Sequence, residues 1–217
     1  MRQQIPDLVA ERILAARRQT YASNAEAQKR RAKLGSGVSP AMQAIFAAAG
    51  LSPEDVKIEY AGLRTKPLVL DKELRFWAID DDEELDDFLT YDLLGALFHE
   101  LSEAQWRRLP RGYRPLVTML EFERHQQFEG WTAVENRADD MLEIIASYRF
   151  LGLDGEANAL EAVRRAYATT DTEDPEQLED VLSNAYRSVP NSQSEEEDRM
   201  TAVYAFVRVH PELFRED

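Results

Sequence analysis

The hydrophobic pattern is clearest between Pro115 and Leu153, where it predicts two helices separated by a turn at Phe128 to Trp131. In the first helix, apolar residues recur at the spacing of one buried face. They are Leu116, Val117, Met119, Leu120, Phe122 and Phe128. Glu123 and Gln127 fall on the same face. Because a buried carboxylate needs hydrogen bonds, we expect Glu123 and Gln127 to be buried structural residues that satisfy backbone groups of a neighbouring turn. The competing interpretation of Glu123, a catalytic acid or base, lacks the constellation of groups that enzymes need.

The second predicted helix carries its apolar residues at the same spacing and ends at Gly152. A glycine just past a helix, followed by the apolar Leu153, is typical of a Schellman end. The residues expected to face inward are Val134, Ala138, Met141, Leu142, Ile145 and Tyr148.

A thinner apolar stripe follows the helix-opening Pro6 and Asp7, with Ile5, Val9, Ile13 and Ala16 as its members. It gives way to a basic tract, Gln28 to Lys33, which we expect to be a solvated arm that docks on an acidic surface. Phosphates or an anionic membrane surface are the alternative ligands of this tract. Gly35 to Gly37 then marks a linker. The predicted division is a basic helical arm and linker, residues 1–37, and an acidic domain, residues 38–217.

The stretch before Asp80 has mixed signals. Val56, Ile58 and Tyr60 alternate as in a strand, whereas Ser52 to Asp55 looks like a helix start, so both interpretations stay open. Leu68 to Leu70 and Phe76 to Ile79 have the composition of a small β-hairpin.

From Asp80 onward, helical spacing returns. Leu85, Phe88 and Leu89 predict a helix with an acidic start and an acidic outer face that continues to about Leu101. Further helix starts are predicted at Ser102, Asp154, Asp174-Pro175 and Glu195 to Asp198. The predicted fold is therefore mainly α, a compact multi-helix bundle-like domain with an N-terminal helical arm and a possible small β-hairpin.

Composition narrows the class of protein. The chain has 217 residues, 44% of them hydrophobic and 31% charged, and it has no cysteine, which excludes disulfides and thiolate zinc sites. Met1 to Asp7 lacks the apolar run of a signal peptide, and no segment approaches the about 18 apolar residues of a membrane span. We expect a cytoplasmic protein that does not enter membranes.

The charge is uneven along the chain. Residues 1–66 contain 11 basic and 6 acidic residues, a balance of +5, whereas residues 67–217 contain 15 and 35, a balance of −20. An acidic body repels nucleic acid and attracts basic proteins. The alternative interpretation is that the acidic residues serve solubility.

Motifs that carry chemistry are scarce. His99-Glu100 begins like a helical zinc-protease motif, but position 103 is Glu, which leaves only a His99 and Glu103 pair as a candidate metal site. The acidic residues after Asp80 resemble a calcium loop, but Leu85 and Tyr91 stand where such a loop needs Gly and Glu. A hydrolytic carboxylate pair stays open as an alternative, although any pair is uninformative among 41 acidic residues. The sequence predicts no catalytic residue, no metal and no cofactor.

The remaining candidate site is electrostatic. Carboxylates three or four residues apart on a helix lie about 5 to 6 Å from each other, comparable to the charge spacing of a nucleic-acid backbone. An acidic helix face can therefore substitute for a row of phosphates. The predicted partner-binding residues are Asp80, Asp81, Asp82, Glu83, Glu84, Asp86, Asp87, Asp92, Glu195, Glu196, Glu197 and Asp198.

Residues 94–214 also resemble a known family in the order of their features. The matching positions include Leu109-Pro110, Glu121 to Glu123, Gln127 to Trp131, Leu151-Gly152 and Val209 to Phe214. They resemble a bacterial domain-of-unknown-function family that includes the DMP-type DNA-mimic proteins. The family usually has a paired glycine after the helix Glu, where this chain has Gln126-Gln127 and only Gly130.

The resemblance implies an all-helical fold, homodimerisation and a non-enzymatic role. The implied partner is a basic protein, such as a DNA-binding transcription factor or a nucleoid protein, whose DNA site the acidic surface occupies. An immunity-type or regulatory protein that neutralises another basic partner is the alternative.

Overall fold

The computed structural model describes residues 5–34, 74–98, 101–172 and 174–216. The chain divides into two compact units, residues 1–13 with 73–217 and residues 14–72. The first helix, α1 at Asp7–Leu34, begins in the larger unit, where Ile5, Val9 and Ile13 are buried. These three members of the predicted apolar stripe are confirmed as buried, whereas the fourth, Ala16, is half-buried. The predicted linker at Gly35 to Gly37, and with it the boundary at residue 37, lies outside the described residues and stays a prediction.

The larger unit is mainly helical, as predicted, and the described ranges contain no strand. After a 3₁₀ turn at Phe76–Ala78, its helices are α2 (Asp82–Asp87), α3 (Leu94–Leu97), α4 (Glu103–Trp106), α5 (Tyr113–Glu129), α6 (Thr132–Asn136), α7 (Met141–Phe150), α8 (Asp154–Thr169), α9 (Pro175–Arg187) and α10 (Glu196–Val209). A π-helical turn at Phe88–Leu93 joins α2 to α3, and 3₁₀ turns lie at Ala138–Asp140 and Pro211–Leu213.

The predicted hairpin is wrong in its second strand. Phe76 and Trp77 form a 3₁₀ turn because both rings are buried, and Phe76 packs against the rings of Phe88, Tyr113 and Phe214. A strand alternates its side chains between two faces and does not bury two successive rings together. The first strand, Leu68 to Leu70, and the segment Ser52 to Tyr60 lie outside the described residues.

The central helices differ from prediction at their junction. Helix α5 continues through Phe128 to Glu129, and the turn is at Gly130, which has a φ of 57°. The second predicted helix is divided into α6, the 3₁₀ turn and α7, so Ala138 and Leu142 point to solvent. Val134 and Met141 are buried as predicted, but the break changes the rotational phase between them, which is why a single helical period assigned Ala138 and Leu142 wrongly.

The predicted Schellman end of α7 is confirmed. Gly152 has a φ of 79°. The amide of Leu153 donates to the carbonyl of Tyr148 at 2.9 Å, and the amide of Gly152 donates to that of Arg149 at 3.1 Å. These two bonds satisfy carbonyls that a helix end otherwise leaves without a partner. The turn directs the chain into α8, whose Leu160 and Val163 are buried.

Candidate functional site: two acidic helix starts and a buried ion pair

The first acidic run forms the start of α2. Asp80, Asp81, Asp82, Glu83 and Glu84 are all exposed. On the opposite side Leu85, Phe88 and Leu89 are fully buried, as predicted. The Asp81 carboxylate accepts a hydrogen bond from the amide of Glu84 at 2.8 Å, so it caps the helix. The packing fixes the helix, and the carboxylates at its start are exposed to solvent.

Helix α10 packs along α2 and engages two of the predicted partner-binding residues. The Tyr204 hydroxyl donates to Asp86 Oδ1 at 2.7 Å, and Arg208 Nη1 lies 2.7 Å from Asp82 Oδ1. Arg208 also donates through Nε to the carbonyl of Ile79 at 2.9 Å. Burial together with the hydrogen bond to Asp86 raises the pKa of Tyr204 far above its ordinary value. Asp82 and Asp86 therefore have structural partners within the chain.

Asp92 does not belong to this surface. It was predicted as a partner-binding residue, but it is buried. The π-helical turn explains the error, because its extra residue per turn rotates the positions that follow. The amide of Leu94 accordingly bonds to the carbonyl of Leu89, five residues back, and Asp92 joins Leu93 and Leu94 on the inner side.

The second acidic run lies at the opposite end of the paired helices. Glu195, Glu196, Glu197 and Asp198 are exposed around the start of α10. Asp82 meets Arg208 and Asp86 meets Tyr204, so α2 and α10 run antiparallel. Glu196 precedes Arg208 by 12 positions, which is about 18 Å at the helical rise. The structure therefore places the two runs at two separate ends, and they do not form one cluster.

Gln127 and Phe128 were both predicted to be buried, and both predictions are wrong. Gln127 is exposed and donates a hydrogen bond to Glu196 Oε1. Phe128 is 79% exposed. Both residues follow Glu123, the last buried residue of α5, so the helical period continues after the core has ended. A side chain at Gly130 would come within 4.0 Å of the Glu179 carboxylate, which places a carboxylate of α9 at this end of α5 as well.

Glu123 is buried, as predicted, but its partners are side chains and not backbone groups. Its Oε1 accepts from the Tyr148 hydroxyl at 2.6 Å and from Arg199 Nε at 2.6 Å, and its Oε2 accepts from Arg199 Nη2 at 2.7 Å. Burial and the Glu123 carboxylate together raise the pKa of Tyr148 well above its ordinary value. Bidentate pairing of this kind is the strongest geometry available to Arg and Glu.

A second carboxylate, Glu156, shares this interior. Its Oε2 accepts from the Tyr186 hydroxyl at 2.6 Å and from Asn191 Nδ2 at 2.5 Å, and it lies 3.8 Å from Arg199 Nη1. Its Oε1 is buried and has no hydrogen-bond partner among the described residues. Burial raises the pKa of Glu156 above its ordinary value. Sequence reasoning missed Glu156 and Arg199 because their partners lie far away along the chain.

The described residues contain no group of three or more His, Asp or Glu side chains that could hold a metal ion. The proposed pair of His99 and Glu103 is untested, because His99 lies outside the described residues. Glu103 itself is ion-paired with Arg107 and Arg114.

Of the helices within the described ranges, none is both long enough and apolar enough to cross a membrane.

Comparisons with protein-family models, with curated proteins and with solved structures find no match to this chain. The resemblance to the DNA-mimic family therefore rests on the sequence features alone.

Proposed function

We propose that this protein is a non-enzymatic acidic binding protein that occupies the DNA-binding surface of a basic protein. The observation that carries the proposal is the cluster of exposed carboxylates at the start of α2, Asp80 to Glu84, opposite a fully buried apolar side. Carboxylates on a fixed helix meet a basic surface with little further loss of conformational entropy.

The contacts of α2 with α10 support a rigid surface. Asp81 caps α2, Arg208 pairs with Asp82, and Tyr204 donates to Asp86. These bonds hold the helix in place and leave Asp80, Glu83 and the outward side of the first turn open to solvent. Pairing with an exposed basic surface is electrostatic, so it is strongest at low ionic strength and selects partners by complementary charge.

The second run, Glu195 to Asp198, provides a further acidic contact about 18 Å along α10 from Arg208. Two acidic contacts at this separation fit an extended basic surface, such as the surface with which a DNA-binding protein contacts a nucleic-acid backbone. The proposed partners are DNA-binding transcription factors or nucleoid proteins, and the proposed location is the cytoplasm. The proposed active form is a homodimer of this chain. The acidic body itself is not proposed to bind nucleic acid.

The proposal is tested by capture followed by competitive release. Proteins from the source cell that bind a DNA column are passed over the immobilised full chain at low salt. We expect basic proteins to be retained and then released by duplex DNA. Polyglutamate at the same charge concentration should release much less, because it lacks the spacing of a duplex backbone.

The competing function is an immunity-type or regulatory protein that neutralises another basic partner. In that case salt releases the retained protein, but duplex DNA releases no more of it than polyglutamate does. Retention of no basic protein at low salt contradicts both functions and leaves solubility as the role of the charge.

A further inference from the structure

A cleft of about 430 Å³ lies between α5, the segment around α4, and the turn that leads into α7. Part of its wall is apolar and aromatic, from Leu101, Trp106 and Val117. The inner end holds the buried carboxylate of Glu121, which is ion-paired with Arg137. The rest of the lining is polar or charged, so the cleft suits a ligand that has both an apolar part and a charged part. The acidic runs described above take no part in this cleft.

The charges around the cleft do not balance. Arg137 pairs with Glu121 and, at 3.0 Å, with Asp140. Arg114 pairs with Glu103 at 2.9 Å and with Glu143 at 2.5 Å. Each of these two guanidinium groups is thus shared by two carboxylates. Glu103 does not line the cleft and is also paired with Arg107. The three carboxylates that line the cleft therefore exceed its two guanidinium groups by one negative charge.

His125 adds an unmet hydrogen-bonding group at the inner end. Its Nε2 lies 3.9 Å from Glu121 Oε1, and its Nδ1 is buried without a hydrogen-bond partner among the described residues. Buried polar atoms in proteins are nearly always paired. Within the described residues this nitrogen has no such partner, so it is a hydrogen-bonding group that a ligand in the cleft can engage.

We propose that the cleft binds an organic cation, an ammonium or guanidinium group carried on an apolar body. The cation lies toward Asp140 and Glu143, whose side chains are 54% and 43% exposed and therefore within reach of a ligand. The apolar body lies against Trp106, where a cation also gains from the face of an indole ring. Such a group comes either from a free amine or from an arginine or lysine side chain of a partner protein.

The test titrates the full chain with three probes of similar shape by calorimetry: benzylamine, benzyl alcohol and benzoate. N-acetylarginine amide is the fourth probe and represents a protein side chain. We expect saturable binding of benzylamine, at least about tenfold weaker binding of benzyl alcohol, and no binding of benzoate. Saturation by N-acetylarginine amide alone assigns the cleft to a partner side chain.

Variants locate the binding. The double variant Asp140→Asn with Glu143→Gln should weaken cation binding at least about tenfold, while Glu121 and Arg137 keep their pair. The matched control, Glu135→Gln with Asp139→Asn, removes two exposed carboxylates that do not line the cleft and should bind like the parent. The proposal is overturned if neither cation saturates, if benzyl alcohol binds as tightly as benzylamine, or if the control variant loses as much affinity as the cleft variant.

Discussion

The guanidinium of Arg199 donates two hydrogen bonds, of 2.6 and 2.7 Å, to the carboxylate of Glu123, although the two residues are 76 positions apart in the sequence. The pair joins α10 to α5 within the core, where both side chains are less than 10% exposed. Arg199 Nη1 donates in addition to the carbonyls of Gln193 and Ser194, at 3.1 and 2.6 Å. One side chain therefore fixes both the loop before α10 and the start of α10, where the second acidic run lies.

Replacing Arg199 with Met should reduce the free energy of unfolding by about 3 to 5 kcal/mol, because it leaves the Glu123 carboxylate buried without its cation. Adding Glu123→Gln should restore at least about 1 kcal/mol of this loss, since the amide still accepts from Tyr148 and carries no charge. Urea unfolding measures both variants. Arg187→Met, at an exposed position of α9, is the control and should be close to neutral. A double variant less stable than Arg199→Met alone would contradict this account.

Glu156 should make the protein less stable as the pH rises. Burial raises its pKa in the folded state above the ordinary 4.5, so the folded protein binds more protons than the unfolded chain above that pH. Its contribution to stability is therefore full below about 4.5 and declines as the pH rises through the raised value. Glu156→Gln removes this decline while its oxygen still accepts from Tyr186 and Asn191. The stability of the variant minus that of the parent should increase with pH above 4.5, and a difference independent of pH contradicts the assignment.

Glu161 should have the opposite effect. Hydrogen bonds from Arg164 and Arg165 lower the pKa of Glu161 from 4.5 to about 2. A carboxyl with a lowered pKa contributes stability above its unfolded value, and this contribution is lost as the pH falls through the folded value. Glu161→Gln should therefore flatten the acid limb of the stability profile between pH 4.5 and about 2. The effect should decrease at high salt, because Arg165 is 71% exposed and its pairing is screened. An unchanged acid limb would show that the ion pairs have no energetic role.

Gly112 should be intolerant of a side chain. A Cβ there would lie 2.7 Å from the carbonyl oxygen of Leu213 and 2.6 Å from a ring carbon of Phe214. Gly112→Ala should cost about 1 to 3 kcal/mol, because the C-terminal turn must move away from α5. Gly95→Ala is the control, since nothing lies within 4 Å of its Cβ position, and it should stabilise α3 by about 0.5 to 1 kcal/mol. Equal effects of the two substitutions in thermal unfolding contradict the packing argument.

The sequence predicts most of the helical fold because helix periodicity and caps are local signals. Leu85, Phe88 and Leu89, the Schellman end at Gly152 and the Asp174 cap of α9 all follow from residues within a few positions of each other. The prediction for Phe128 is wrong because the periodic pattern continues past Glu123, the last buried residue of α5. The spacing of apolar residues shows which face of a helix can be buried. It does not show where along the helix the burial ends.

The candidate site is less predictable from sequence. The exposure of Asp80 to Glu84 follows from charge and helix position, whereas the burial of Asp92 depends on a π-helical turn that has no marker in the local sequence. The pairing of Arg199 with Glu123 and Glu156 is a tertiary contact between helices that are far apart in the sequence. A single sequence marks Glu123 as a buried polar residue but cannot name its partner.

The most direct test of the acidic-surface proposal uses a variant that spares the structural carboxylates. Asp80→Asn, Asp81→Asn and Glu83→Gln neutralise three exposed charges, keep an N-cap at position 81 and leave Asp82 and Asp86 bonded to Arg208 and Tyr204. Glu135→Gln, Asp139→Asn and Glu176→Gln remove three exposed charges elsewhere as the matched control. The measurement is the affinity of a captured basic protein for each chain at low and at high salt. The account predicts weaker binding of the first variant at low salt, parental binding of the control, and convergence of all three chains at high salt. Binding by the first variant as tight as that of the parent at low salt would contradict it.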